Sequence, residues 1–381
     1  MIPRNVKKII AALEAAGHEA FVVGGCVRDV LRGVAPKDWD IATSALPEQT
    51  KKLFARTIDT GIKHGTVTVV FSREKFEVTT YRIDGEYRDS RRPDSVIFAN
   101  KIEEDLSRRD FTINAIAYNM FYVDPFDGRG DIEKKIIKCV GDPEHRFDED
   151  ALRMLRAVRF SAQLGFSVDA AALRAIEKLK KNLEKISAER IREELLKLLN
   201  GDFPCALKLL AETGLLFFVL RNREFRGDLD EIISQLAAVP RDEIIRLVLF
   251  LRREDYEKIL HDLRSSNHEI STVSKLIKFL PEKIVTRYEI KKILNEMSFE
   301  NFEKLLTLKE ITQNESFAHV RDEARDILQK NECFLLRDLA VNGDDLARAG
   351  VPRGKIMGET LARLLDAVMR DPSLNSKERL L

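Results

Sequence analysis

Asp38 and Asp40 flank Trp39 in the run KDWDIATSA, and their spacing is the first feature that could do chemistry. On an extended strand, side chains alternate with a period of two. Both carboxylates would then project from one face and Trp39 from the other. Two hard oxygen donors so placed suit Mg2+. A lone pair of this kind is more often a solvent-facing acidic turn, but a third carboxylate changes that balance. Glu77 lies in Phe76–Tyr81, a strand-like run whose other members are mostly apolar or β-branched. A charge there is costly unless it has a partner. A metal, or a proton to be taken, would supply one; otherwise Glu77 faces solvent. Paired aspartates and a third strand carboxylate carry the logic of two-metal phosphoryl transfer. In that scheme one ion activates the attacking hydroxyl and the other holds the triphosphate and leaving group.

A glycine turn precedes these acids. Phe21–Val23 reads as a buried strand ending in Gly24-Gly25, with a helix expected from about Val27. Glycines at such a turn let the backbone approach a ligand closely. Free N–H groups at the helix start favour phosphate oxygens. Gly25 and Arg28 are the candidate contacts, against the plainer reading of a tight turn. A second constellation lies in Arg146–Phe166, which reads as one recognition helix. Leu152, Leu155, Val158 and Ala162 give it an apolar face. Asp150, Arg153, Arg156 and Arg159 follow one another at i+3 steps as a slowly drifting stripe. Such stripes are usually solvated, salt-bridged faces. They can also read bases without a template. Cytosine and adenine each offer an exocyclic amine donor beside a ring-nitrogen acceptor, so an Asp that accepts and an Arg that donates complement both. Uracil and guanine would leave buried groups unpaired, which supports strong discrimination.

The elements that must position these residues fall into two textures. Up to about residue 140, short β-rich runs alternate with turns. Thr66–Phe71 and Phe76–Tyr81 read as a hairpin joined by Ser72–Lys75. From Glu144 onward, apolar residues recur at three- and four-residue spacing, as in Ile191, Leu195 and Leu199. The expected fold class is α+β, a small mixed sheet with helices followed by an all-helical remainder. With 64 Lys+Arg against 63 Asp+Glu the formal net charge is +1. Binding to a nucleic acid must therefore come from local basic patches. Cys26, Cys139, Cys205 and Cys333 lack metal or disulfide spacing and read as small buried residues. His261-Asp262 finds no ligand set among the other histidines and reads as surface. The N-terminus is interrupted by charge too soon for a secretory segment and reads as an amphipathic helix. The apolar runs are too short to span a bilayer. A cytoplasmic location is expected.

These residues resemble those of the class II tRNA nucleotidyltransferase and poly(A) polymerase family, in its bacterial CCA-adding branch. GGCVRD with KDWDIATSALPE is similar to the nucleotidyltransferase motif. TGIKHGTVTVV and FEVTTYRIDGEYRDSRRPDSVIF resemble the following strands and flexible loop. EEDLSRRDFTINAIAYN resembles the ribose-recognition motif, FDEDALRMLRAVRF the base-recognition helix and LAVNGDDL part of the tail. Cys26 stands where a plain small residue is common and is expected to have no chemical role. The resemblance implies a nucleotidyltransferase head over 1–140, a helical neck over 141–200, a body over 201–330 and a tail over 331–381. It implies addition of C, C and A to the 3′ end of tRNA from CTP and ATP, with Mg2+ as cofactor and pyrophosphate as product. Asp38 and Asp40 would be the metal ligands, and Glu77 would help to activate the terminal hydroxyl. The helical part would grip the tRNA by its backbone, with Lys178–Lys181 among the candidate basic residues. Gly25, Arg28, Arg109, Asp150, Arg153, Arg156 and Arg159 match nucleotide-contacting positions.

Within the family, A-only addition, CC-only addition and polyadenylation are alternatives. Arg82–Phe98 resembles the loop needed to switch from C to A, which argues against CC-only addition. TGIKHGTVTVV looks like the CCA-adding pattern rather than the polyadenylating one. Outside the family stand a non-catalytic RNA-binding protein, disfavoured by the intact acids at 38, 40 and 77, and a small-molecule nucleotidyltransferase. The latter would leave roughly 240 helical residues without a purpose, given usual domain sizes.

Overall fold

The computed structural model describes residues 2–84 and 96–381. It divides into two compact units, Met1–Phe225 and Arg226–Leu381. The first unit opens with helix α1 (Arg4–Ala15), whose Val6, Ile9, Ile10 and Leu13 are buried at helical spacing. Strand β1 (Ala20–Val23) is buried along its whole length. Helix α2 (Gly25–Leu31) then starts two residues before the expected Val27. Strand β2 (Asp40–Thr43), helix α3 (Pro47–Leu53) and strands β3 (Thr57–Gly61), β4 (Thr66–Phe71) and β5 (Glu74–Thr80) follow. The β4–β5 hairpin closes through Ser72 and Arg73 alone, both at positive φ (51° and 69°), with Phe71 opposite Glu74. That is the two-residue turn whose twist suits paired strands, so the connection is shorter than Ser72–Lys75.

The chain continues through β6 (Arg82–Asp84) and β7 (Val96–Phe98), which pair antiparallel. Most of the segment compared above with a flexible loop, residues 85–95, lies outside the described residues. Helix α4 (Ile102–Ser107), strands β8 (Ala117–Asn119) and β9 (Phe121–Val123), helix α5 (Gly128–Lys134) and strand β10 (Ile136–Ile137) complete the β-rich part. The sheet runs β3-β4-β5-β2-β1-β8-β9. It is mixed, because β2 and β5 are parallel while their neighbours pair antiparallel. Phe21, Val23, Ala42, Tyr81, Leu106 and Ala117 pack into one buried cluster.

Helices α6 (Pro143–Glu149), α7 (Leu152–Leu164), α8 (Ala170–Leu179), α9 (Ala188–Leu199), α10 (Leu207–Glu212) and α11 (Leu215–Val219) form the helical part of this unit. Strand β11 (Ser167–Val168) interrupts them and pairs parallel with β10. Arg146–Phe166 is therefore two helices and not one. Asp150 breaks the run, with φ −144° and ψ 101°, and its carboxylate accepts from the Leu152 N–H at 3.1 Å. An Asp beside a helix start satisfies an otherwise unpaired N–H and favours the break. The apolar face is as expected: Leu152, Leu155, Val158 and Ala162 are buried, and α7 packs on α9, where Ile191, Leu195 and Leu199 are buried.

The second unit consists of α12 (Leu229–Ala238), α13 (Glu243–Leu251), α14 (Tyr256–Asp262), α15 (Asn267–Phe279), α16 (Arg287–Glu296), α17 (Phe299–Gln313), α18 (Ala318–Gln329), α19 (Gly343–Arg348), α20 (Lys355–Arg370) and α21 (Lys377–Leu380). Its buried charges are paired or hydrogen-bonded, as burial requires. Lys291 meets Glu332 at 2.6 Å, and Lys309 donates to the Leu280 carbonyl at 2.7 Å. His261 and Asp262 are exposed, as expected. Among the described residues, no helix is long and apolar enough to cross a membrane.

Candidate functional site

A cleft of about 500 Å3 lies where the β1–α2 turn meets α7 and α9. A larger cavity of about 640 Å3, walled by Ile10, Val22, Val27, Val30 and Trp39, is mostly apolar, with Lys7 and Glu14 as its charged members. The smaller cleft is the candidate site, because the charged residues of the turn and of α7 converge on it. Among its described lining residues, six arginines (Arg28, Arg108, Arg109, Arg153, Arg156 and Arg190) stand against three aspartates (Asp40, Asp110 and Asp150). That excess favours an anionic ligand.

The glycine turn forms one wall. Gly24 has φ 77°, and a Cβ there would sit 2.8 Å from an Arg109 guanidinium nitrogen. Both the left-handed backbone and the close approach need a residue without a side chain. Arg28 donates to Asn114 Oδ1 at 2.8 Å and Asp29 Oδ1 at 3.0 Å. Arg109 donates to Asp105 at 3.1 Å and to the Asn114 carbonyl at 3.3 Å. Cys26 has no visible chemistry: its thiol is buried, donates to the Val23 carbonyl at 3.2 Å and is pushed up to about 11 by burial.

The acids sit at the sheet end. Asp38 precedes β2 instead of lying on it, and β2 begins at Asp40. The parallel register sets Asp40 directly beside Glu77 on β5. Trp39 lines the apolar cavity while Asp40 lines the cleft, so those two neighbours do point to opposite sides. Glu77 is exposed, so burial cost is not what marks it; register with Asp40 is. Asp38 and Glu77 are not cleft-lining, but their charges bear on Asp40. Asp40 is exposed at the strand end, yet the protein packed around it raises its carboxyl above the usual range, with Glu77 and Asp38 adding to this and Arg109 opposing. Among the described residues, no three His, Cys, Asp or Glu groups converge as a ready-made metal cage. Asp38 and Asp40 offer hard oxygen donors of the kind Mg2+ accepts when substrate phosphates complete its shell.

The drifting stripe divides. Arg153 donates to Glu149 at 2.6 Å and to the Arg108 carbonyl at 3.2 Å. Arg156 grips Asp110 Oδ2 with two nitrogens, at 2.8 and 2.6 Å. Arg159 does not line the cleft; it meets Glu194 at 2.5 Å and Gln163 at 2.8 Å. Each i+3 step lags a full turn by about 60°, so Arg159 has rotated roughly 120° away from Arg153. Phe160 binds the group together, with the guanidinium carbons of Arg28, Arg156 and Arg159 at 5.4, 5.4 and 4.0 Å from its ring centre. Asp150 accepts from Arg190 at 2.7 Å.

Arg108, Asp110, Asn114, Phe160 and Arg190 are lining residues that the motif reading did not single out. Three of them fall inside the quoted run EEDLSRRDFTINAIAYN, where the dense RRD charges were a signal. Arg190 had no local signal beyond being a charged residue on an otherwise amphipathic helix.

Three family models match: the "Poly A polymerase head domain" at residues 20–138, the "Probable RNA and SrmB-binding site of polymerase A" at 165–224, and "tRNA nucleotidyltransferase domain 2" at 242–381. The chain is 40% identical to a CCA-adding enzyme of Lactiplantibacillus plantarum, over 98% of this chain and 94% of that one. It is 39% identical to a CCA-adding enzyme of Ligilactobacillus salivarius, over 100% and 96%. The solved CCA-adding enzyme of Bacillus stearothermophilus, in complex with CTP, superposes with a TM-score of 0.88 at 35% identity, covering 100% of this chain and 96% of that one. Identity at this level, sustained from the sheet through the last helices, makes this chain a member of the CCA-adding enzyme family and hence a nucleotidyltransferase.

Proposed function

We propose that the protein adds C, C and A to the 3′ end of tRNA, taking CTP and ATP and releasing pyrophosphate. The observation that carries this reading is the full-length likeness to CCA-adding enzymes, at 40% and 39% identity over 98% and 100% of this chain. In each addition the terminal hydroxyl oxygen of the RNA bonds to the α-phosphorus. The bond from that phosphorus to the β-phosphate bridging oxygen breaks, and pyrophosphate leaves. Asp38 and Asp40 would hold the divalent ion, which we take to be Mg2+. When bound, it supplies positive charge that makes the hydroxyl more acidic and steadies the triphosphate. Glu77 helps to draw off the hydroxyl proton. The Gly24 N–H is taken by the Ile116 carbonyl, so the start of α2 at Gly25, with Arg28, Arg109 and Arg156, takes the triphosphate and ribose. Asp150 accepts from the exocyclic amine, and Arg153 donates to the ring nitrogen. Arg159 supports Phe160 and Glu194 from behind.

We further propose the division into head (1–140), neck (141–200), body (201–330) and tail (331–381), with the helical parts gripping tRNA by its backbone and shape. A cytoplasmic setting fits the four free thiols, of which Cys205 is exposed and not buried as expected. The direct test uses Asp40→Asn, which keeps size but removes a charge. Wild-type protein should incorporate both CTP and ATP into tRNA lacking its CCA end, and the variant should lose about a hundredfold or more for both. Undiminished incorporation by the variant would overturn the assignment of this cleft.

A further inference from the structure

Asp150 is held by a side chain from a different helix. Arg190, on α9, donates Nη2 to Asp150 Oδ2 at 2.7 Å and Nη1 to Oδ1 at 3.3 Å. The Leu152 backbone N–H also donates to Oδ1, at 3.1 Å. An ionised carboxylate offers about four acceptor sites and no donor. Three are taken, and the one remaining is on Oδ2. Asp150 and Arg190 both line the cleft, so this pair is in reach of whatever occupies it. The two side chains are only 15% and 27% exposed, which limits screening by water. Without Arg190, nothing but one N–H on Oδ1 would fix the plane of the carboxylate. It could then turn toward the guanidinium of Arg153 or Arg156, both in the same cleft. That would cancel the acceptor beside the donor.

We propose that Arg190 is a positioning residue that sets nucleotide specificity: its planar fork locks Asp150 so that a single acceptor site on Oδ2 faces the exocyclic amine of cytosine or adenine. This rests on the reading that Asp150 recognises the base. A guanidinium fork engages both oxygens of a carboxylate at once, whereas an ammonium binds as a point charge and leaves the plane free to rotate. An amine donor on the base satisfies the remaining site. A carbonyl at that position, as in uracil or guanine, would face an oxygen lone pair and be repelled.

The test is the ratio of kcat/KM for CTP to that for UTP on tRNA lacking its CCA end, measured for wild type, Arg190→Gln, Arg190→Lys and Asp150→Ala. Arg190→Gln is expected to lower the ratio by about tenfold or more, with Arg190→Lys between it and wild type. A purely structural ion pair would instead lower kcat for both nucleotides alike; a ratio within about twofold of wild type in a folded Arg190→Gln protein overturns the proposal. If circular dichroism shows that Arg190→Gln does not fold, Arg190→Lys decides: a lowered ratio supports the fork and an unchanged one sinks it. Asp150→Ala separates the two readings. If its ratio matches wild type, base recognition by Asp150 is wrong and the role of Arg190 falls with it. If its ratio collapses while that of Arg190→Gln does not, only the role of Arg190 fails.

Discussion

Asp110 lies under the arginine wall of the cleft at 8% exposure, where Arg156 and the Asn114 amide both donate to it. Burial alone would push its pKa up. The charge and hydrogen bonds of Arg156 outweigh that, with Arg153 and Asn114 adding to them, and hold it down from 3.8 to about 2. A folded pKa below the unfolded one stabilises the protein fully above the unfolded value, and that stability is lost as pH falls through the folded value. Asp110→Asn should therefore cost about 2 kcal/mol at pH 7, with the gap narrowing as pH drops from 4 toward 2. Urea titrations of both proteins across that range check it; a gap that stays constant would contradict the ion pair. At this scale the sequence was readable where chemistry is local. Asp38 and Asp40 are two residues apart, and Glu77 sits in an unusual run. Asp110 and Arg190 were not readable, because their partners Arg156 and Asp150 lie 46 and 40 residues away.

The β1–α2 turn is where an element places chemistry. Gly24 combines φ 77° with an Arg109 nitrogen 2.8 Å from where a Cβ would be. Gly24→Ala should destabilise the protein by about 1–2 kcal/mol. By displacing Arg109, it should also raise KM for both CTP and ATP several-fold. Denaturation curves and steady-state kinetics would show both effects; a KM unchanged for both nucleotides would mean that Arg109 does not touch them. Strand and turn signals made the sheet legible, because period-two patterning and the Gly24-Gly25 pair are local. The break at Asp150 was not. Neither Gly nor Pro marks it, and the apolar spacing runs on through Leu152 and Leu155 in phase. What divides the helix is the Asp150 carboxylate capping the next one while Arg190 holds it from α9.

For the whole molecule, a net charge of +1 conceals local segregation. Lining arginines outnumber lining aspartates by six to three in the cleft, while Lys178, one of the basic residues suggested for RNA, is paired with Glu144. Binding to tRNA through phosphates releases counterions, so affinity should fall at least about tenfold between roughly 50 and 200 mM salt. Filter binding across that range checks this, and a flat response would argue against backbone contacts. The change of texture near residue 140 was legible because helical and strand periods differ. The packing of α7 on α9, which completes the cleft, was not, since no sequence period reports which helices meet. Addition of the whole CCA end is tested by end-extension of three tRNA transcripts with CTP and ATP: one ending before the first C, one before the A, and one with CCA complete. The first should gain C, C and A, the second A alone, and the third nothing. Addition only to the second would make this an A-adding enzyme, and no addition to any, in protein that binds CTP, would rule out CCA addition by this chain.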